Sequence, residues 1–310
     1  QISKMNVSII FPFYNEENTI ALTINSLSHQ TTKVDEIIFV DSGSNDNSIE
    51  MINKSKIRYP ELDIKILNSG EMYPSNSINM GMRESRNSMV MYMDCGLLIP
   101  ENWLESQIKH YKSTNSDIVS GKIYTYGINI VDKSFISHTY GYKNSCICLT
   151  GSLFDKKLFD KTGLFIEDCR AGYDVDFVNK LKLKRCSRAI NNNVQLKYYG
   201  TNYSKTIKDG YNKVKLYSKS AWKAYGDKKP YVYSSILVIF ISIMITSPLI
   251  YIVLSTLLYL LIRGYMIPYL KSKEIYREKD LKLILMLPII GLIFDLARIN
   301  GYIDGLLNSK

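Results

Sequence analysis

The chain is poor in the residues that build metal frameworks. It has five cysteines in 310 residues, an odd number, and no two are spaced Cys-x-x-Cys. Cys146-x-Cys148 is too tight for a zinc knuckle. This argues against a zinc ribbon and a disulfide scaffold. It points to reduced thiols in a cytosolic setting, each acting as a small buried apolar residue. The sequence also lacks Gly-x-Gly-x-x-Gly and the phosphate-loop lysine motif, which argues against a dinucleotide-binding fold and a P-loop nucleotidase. No internal repeat or low-complexity linker is visible. Gln1–Asn6 is polar and no secretory leader is read there. A spread of positive charge over the whole chain, expected of a nucleic-acid binder, is absent too. The net charge is +10, but Lys197–Lys229 holds nine lysines against Asp209 and Asp227 and alone supplies +7.

The chain does have short apolar runs, each ending on a polar residue. Met89–Met93 is five apolar residues, the length of a buried parallel strand and too short for a helix. It stops at Asp94, and Gly96, Pro100 and Trp103 follow. Val7–Phe11 is a second such run, ending at Pro12. Glu36–Val40 ends at Asp41, and Asp63–Leu67 is a fourth. Between them lie helical patterns: Ile20, Leu22, Ile24 and Leu27 after Asn18 or Thr19, then Ile49–Lys56 after a Ser-Gly-Ser-Asn-Asp-Asn-Ser turn, then Ser75–Arg86. The β-α-β-α-β-α-β rhythm predicts an α/β fold with a doubly wound, mostly parallel sheet.

In such a sheet ligands lie outside the carboxyl ends of the strands. Pro12, Asp41 and Asp94 all follow apolar strands, so they should share one rim. A strand-end aspartate alone can simply cap a turn; several converging polar groups make a binding site. A buried carboxylate is costly without a partner. Here one could accept from a ribose or base, and another could hold a divalent cation carrying a diphosphate. The expected ligand is a nucleotide diphosphate with a metal.

The first half resembles family 2 glycosyltransferases of the GT-A fold. The resemblance rests on Phe11-Pro12-Phe13-Tyr14-Asn15-Glu16-Glu17, Val40-Asp41-Ser42-Gly43-Ser44-Asn45-Asp46-Asn47-Ser48, Asn79-x-Gly81, and Tyr92-Met93-Asp94-Cys95-Gly96 with Pro100 and Trp103. With the later motif it covers about residues 5–185. It implies that Pro12, Tyr14, Glu16, Asp41 and Ser44 contact the nucleotide, usually uridine. It implies that Asp94 opens the Asp-x-Asp element that binds ribose and a Mg2+ or Mn2+ ion bridged to diphosphate. The third position here is Gly96, so the metal would rest on Asp94, diphosphate and water.

Asp117–Lys122 and Ser145–Phe154 read as strands, the second with Gly151 where an acceptor could approach closely. Leu158–Gly163 resembles the family's short helix before its Gly-Gly-Phe-Asp-Glu turn, here Thr162 to Asp168. Gly172-Tyr173-Asp174-Val175-Asp176-Phe177 resembles its Glu-Asp motif with Tyr173 in place of Glu. The resemblance makes Asp174 the general base, and Asp168 and Tyr173 are placed with Gly151 on the acceptor side. A sugar hydroxyl is a poor nucleophile and needs a carboxylate to take its proton. Crowding by Glu167, Asp168 and Asp176 should raise the pKa of one member. The alternative is an acidic cluster that only decorates a helix N-terminus.

Lysines alternate with Tyr198, Tyr199, Tyr203, Tyr211, Tyr217, Trp222 and Tyr225 in the basic block. This reads as an amphipathic helix on the cytoplasmic membrane surface; the alternative is that a lysine such as Lys205 or Lys208 swings over the donor diphosphate. RNA binding ranks lower, because Tyr231–Ile262 follows without a single charge. That run is longer than one crossing needs and shorter than two. It predicts one tilted helix, or two short helices hinged at Ser247-Pro248. Basic residues at both ends favour the hairpin or a tight two-pass arrangement, with the catalytic domain cytoplasmic. Leu283–Phe294 is too short to span comfortably and should be an interfacial or partly inserted segment. The stretch Asp295 to Gly301 resembles a D-x-A-R-x-x-G sequence of membrane-bound relatives.

The expected organisation is a catalytic domain over 1–196, a basic juxtamembrane segment over 197–230 and membrane-anchoring helices over 231–310. The expected function is transfer of a sugar, with inversion, from a nucleotide-diphosphate sugar to a lipid-linked or glycan acceptor, with no nucleic-acid partner. A processive polysaccharide synthase is the first alternative, though the Gln-x-x-Arg-Trp signature is missing. The second is a non-catalytic sugar-nucleotide binder.

Overall fold

The computed structural model describes residues 5–70, 72–144, 149–198, 206–226 and 228–307. They form two compact units. The first comprises residues up to 124 together with 144–199; the second comprises 125–143 and the chain from 200 onward.

The first unit opens with β1 (Val7–Phe13), α1 (Ile20–Ser28), β2 (Glu36–Asp41), α2 (Ser48–Arg58), β3 (Ile64–Asn68), α3 (Pro74–Glu84) and β4 (Met89–Tyr92). The strand order β3-β2-β1-β4 is parallel throughout, with Phe13 opposite Asp41 and Ile10 opposite Tyr92. The apolar runs are continuous because both faces are covered. Ile9, Phe11, Ile37, Phe39 and Met91 pack on one side, and Ile10, Ile38, Val40, Val90 and Tyr92 on the other.

The sheet continues beyond β4 through strands that sequence patterns only partly mark. These are β5 (Leu97–Leu98), then, after α4 (Trp103–Thr114), β6 (Ile118–Thr125), and, beyond α5 (Ile130–His138), β7 (Lys143–Asn144) and β8 (Leu153–Asp155). Next come α6 (Leu158–Thr162), α7 (Tyr173–Leu183) and β9 (Arg188–Tyr198). Here β8 runs antiparallel to β4 and β6, and β5 antiparallel to β9. The strand expected over Ser145–Phe154 is thus shorter and later; residues 145–148, with Cys146 and Cys148, lie outside the described residues. β9 had no counterpart in the sequence reading, since its burial alternates irregularly and Asn191 to Asn193 are poor strand formers.

The second unit takes α5 and then α8 (Ile207–Tyr225), α9 (Lys229–Thr246) and α10 (Leu249–Tyr259). A π-helical turn over Leu260–Met266 leads into α11 (Ile267–Lys271), α12 (Lys273–Arg277) and α13 (Leu281–Leu307). A capping box of Thr206 and Asp209 starts α8. Tyr199, Tyr203 and Lys205 lie outside the described residues. The helices break at Ser247-Pro248, where the sequence places the hinge; both residues are extended there. The short interfacial segment expected over Leu283–Phe294 is instead part of one 27-residue helix that runs through Pro288. The proline is accommodated because Gly264 faces it: a Cβ at Gly264 would stand 2.7 Å from the Pro288 ring. Two stretches, Leu249–Lys271 and Leu281–Leu307, are long and apolar enough to cross a membrane.

A buried polar clasp holds this unit together. Asp295 accepts two bonds from Arg263, at 2.7 and 2.9 Å, one from Arg298 at 2.7 Å and one from Tyr259 at 2.8 Å. Arg263 also donates to His138 Nδ1 at 2.7 Å. Arginine has no acceptor, so the imidazole proton sits on Nε2 and is donated to the Leu287 carbonyl. The clasp accounts for Asp295 and Arg298 of the D-x-A-R-x-x-G stretch. Its closing Gly301 lets α8 and α13 touch: a Cβ there would lie 2.1 Å from the Lys215 carbonyl oxygen.

Candidate active site

The carboxyl ends of β1 and β2 carry two loops stitched to each other. Asn15 takes a left-handed backbone, φ 55°, which a short polar side chain tolerates. Its amide donates to Ser44 Oγ at 3.0 Å, and its side-chain oxygen accepts from the Asn45 amide at 2.9 Å. The Glu16 amide donates to Ser48 Oγ at 2.7 Å. Asp41, almost wholly buried, accepts from the Ser44 amide at 3.0 Å, and its backbone carbonyl accepts from Ser69. Pro12 lies beside Val40 in register, and Tyr14 extends from the rim, 55% exposed. These residues form a shelf of fixed backbone with an exposed ring, built from 30 residues of separation by side-chain-to-amide bonds.

Asp94 follows β4 at the same end of the sheet. Its amide donates to Thr150 Oγ1 at 2.9 Å, which fixes the backbone. Burial first, then the negative charges of Glu16 and Asp174, push its pKa up to about 6; the Thr150 hydroxyl and Arg170 oppose the rise. Three carboxylates from distant parts of the chain therefore share one field. Glu16 itself accepts from Thr19. Gly96 stands at φ 79°, and a Cβ there would meet Thr19 and the Tyr198 ring at 3.3–3.4 Å, so this position faces α1 and β9. Its amide donates to Thr23.

Asp174 lies in the first turn of α7, behind Gly172 at φ 90°. Burial raises its pKa, against the backbone amides that favour the charged form. The cause differs from the crowding expected from sequence. Glu167 is drawn away to Asn79 and Arg83, at 3.0 and 3.2 Å, and Asp176 pairs with Lys180 at 2.8 Å. Asp168 exchanges bonds with Asn76. Each neighbour has its own partner, so desolvation is what acts on Asp174. Asn79 also accepts from and donates to the Phe165 backbone, pinning the loop before α7 onto α3.

The remaining predicted residues sit nearby with different surroundings. The Tyr173 ring packs edge-on to Phe165 at 6.3 Å. The space beside Gly151 is filled by protein: a Cβ would lie 2.8 Å from Leu196 and 2.9 Å from Trp103, and its φ is 74°. The glycine is thus accounted for by packing under Trp103 among the described residues. Sequence reasoning missed Thr150 and Arg170. Thr150 lies in an unpatterned turn, and Arg170 is a single basic residue in an acidic stretch whose importance depends on a neighbour 76 positions away.

A divalent cation is tested by the same geometry. Among the described residues no three His, Cys, Asp or Glu side chains gather as a metal cluster. Gly96 offers no ligand. Asp94, however, is a desolvated carboxylate pressed by two more negative charges, a field that a cation relieves. The residues fit a cation shared with a ligand's phosphates and do not fit a self-sufficient protein cage.

The chain matches the model of glycosyl transferase family 2 over residues 8–181 and belongs to that family. The strand order, with its parallel half and antiparallel continuation, is the GT-A fold. Among similar proteins are a cholesterol galactosyltransferase of Borreliella burgdorferi and a poly(ribitol-phosphate) β-N-acetylglucosaminyltransferase, TarP, of Staphylococcus aureus. The first is 29% identical over 66% of this chain and 62% of its own length. The second is 34% identical over 39% of this chain and 37% of its own. The chain thus spans less than two thirds of these relatives. Among solved structures, the mannosyltransferase PcManGT of Pyrobaculum calidifontis, in complex with GDP-Man and Mn2+, superposes with a TM-score of 0.65 at 14% identity. The match covers 100% of this chain and 90% of that one. TarS 1–349 of S. aureus, in complex with UDP-GlcNAc, gives 0.51 at 16% identity, covering 96% and 89%.

Proposed function

We propose that this chain transfers a sugar from a nucleotide-diphosphate sugar, UDP-linked, to an acceptor hydroxyl on a lipid-linked glycan. The observation that carries the reading is the shared field of Glu16, Asp94 and Asp174 at the carboxyl rim of the parallel strands. Pro12, Tyr14, Glu16, Asp41 and Ser44 form the nucleotide shelf, and Asp94 binds the ribose–diphosphate side. A Mg2+ or Mn2+ ion, when bound at Asp94, would supply positive charge to the leaving diphosphate. The acceptor side takes Asp168 and Tyr173.

Asp174 is the base. It takes the acceptor proton as the hydroxyl oxygen bonds to the anomeric carbon, and the bond to the diphosphate oxygen breaks on the opposite face, so configuration inverts. A base with a raised pKa holds that proton more firmly, which suits the task. Arg170, close enough to act on Asp94, adds a fixed positive charge to the same field. The apolar second unit and the lipid named as acceptor of the Borreliella relative support a membrane-bound acceptor, with the catalytic unit in the cytoplasm.

The test is Asp174→Asn with a panel of nucleotide sugars. The stabilising donor should still raise the melting temperature of the variant, while transfer falls by about 10²-fold or more. Transfer at the wild-type rate would refute the assignment.

A further inference from the structure

The apolar helices of the second unit leave and return to one point. Tyr233, near the start of α9, lies against two cations: the Arg263 guanidinium is 6.0 Å from its ring centre and that of Arg298 is 5.3 Å. Between Tyr233 and Arg263 the chain has no charged residue. It runs out along α9, reverses at Ser247-Pro248 and comes back along α10. Between the turn and the clasp each arm has about 14 residues, or about 21 Å at 1.5 Å per residue, and the second helix runs on past Arg263 to Lys271. The hydrocarbon of a bilayer is about 30 Å thick. The outer faces of both arms are bare apolar surface; Ile245 and Leu249, on either side of the turn, are 78% and 74% exposed.

The base of the hairpin is polar. Arg263 is bound into the clasp with Asp295 and His138. Trp222, Tyr231 and Tyr302 cluster with ring centres 4.9–5.8 Å apart, the type of aromatic group that settles at a membrane–water boundary. The long helix α13 is not free to cross either. Its second half is packed on the lysine-bearing α8, through Gly301 against the Lys215 backbone and a Lys215–Asp304 ion pair at 2.8 Å. What α13 leaves outward is a stripe at helical spacing: Leu281, Leu285, Ile289, Leu292, Leu296 and Ile303. That is the pattern of a helix lying in the interface plane.

We propose that the chain enters only one leaflet. Residues 234–262 form a re-entrant hairpin with its apex at Ser247-Pro248, both of its ends lie on the same side of the membrane, and α13 lies along that surface. The partner is lipid acyl chain, contacted by the two arms. This rests on the membrane reading above and decides, from the clasp and the arm lengths, among the topologies the sequence leaves open. With the charged clasp tying their two ends together at Arg263, the apolar stretches between clasp and turn are too short to reach the far side.

The experiment uses the full chain reconstituted in liposomes of phosphatidylethanolamine and phosphatidylglycerol. Single cysteines are introduced at the exposed apex residue Thr246, as Thr246→Cys, and at the base, as Lys273→Cys. Each is treated with a membrane-impermeant maleimide before and after detergent, and the wild-type background is subtracted. Thr246→Cys should label only after detergent, while Lys273→Cys labels before it in outward-facing molecules. Labelling of Thr246→Cys without detergent, from either side, would overturn the hairpin while leaving membrane attachment standing. A chain that fails to float with the liposomes would overturn both. Ser247→Cys, carrying a fluorophore and read against lipids brominated at different depths, gives a second measure. Quenching should be strongest within one leaflet, and a maximum in the opposite leaflet would refute the proposal.

Discussion

Replacing Asp94 by asparagine should stabilise the empty protein, and the gain should depend on pH. In the folded chain the carboxyl titrates at about 6, against a reference of 3.8. Above pH 6 it is ionised in both states, and the folded state bears the whole cost. At about 1.4 kcal/mol per pH unit this is about 3 kcal/mol. As pH falls from 6 towards 3.8 the folded chain takes up its proton first, so the wild type regains stability across that window. Asp94→Asn keeps the shape and removes the charge. Thermal unfolding of the full chain, without donor or divalent ion, should give a variant that melts ~6–12 °C higher at about pH 8, with the gap closing by about pH 4. The variant should also lose the stabilisation that donor plus Mn2+ gives the wild type. Parallel pH profiles for the two proteins would refute the idea that Glu16 and Asp174 press on a desolvated Asp94.

Two further outcomes follow from packing. Gly151→Ala forces a Cβ to within 2.9 Å of Trp103 and Leu196 at a left-handed backbone position. It should cost about 2–4 kcal/mol in denaturant unfolding, with a change in tryptophan emission; wild-type stability would refute the close-packing account. Arg263→Met removes three hydrogen bonds from the clasp and leaves Asp295 and His138 short of donors. It should cost about 3–5 kcal/mol when unfolding is followed in micelles, and a cost below about 1 kcal/mol would show that Arg298 and Tyr259 suffice.

The local pattern of the chain determined the parallel half of the sheet. Runs such as Val7–Phe11 and Glu36–Val40 are apolar on both faces, which only a strand covered on two sides requires. The polar residues that end those runs then had to lie at one rim, so the placement of Asp41 and Asp94 at the carboxyl end of the sheet was legible before any coordinate. Pro248 likewise marked the break between two helices, because a proline and the residue before it leave the helical region. The rest depended on contacts that have no period. β5 and β8, of two and three residues, are strands only because β9 and β4 lie beside them. The stretch Ile130–His138 joins the second unit because His138 meets Arg263 and the Leu287 carbonyl more than 120 positions later. The source of Asp174's raised pKa could not be read from its acidic neighbours, since Glu167 and Asp168 are held by α3 through tertiary packing and Asp176 pairs with Lys180 one turn along its own helix. Spacing along a chain fixes which face a residue occupies; only the folded structure decides which distant group stands opposite, and charge and burial act through that opposing group.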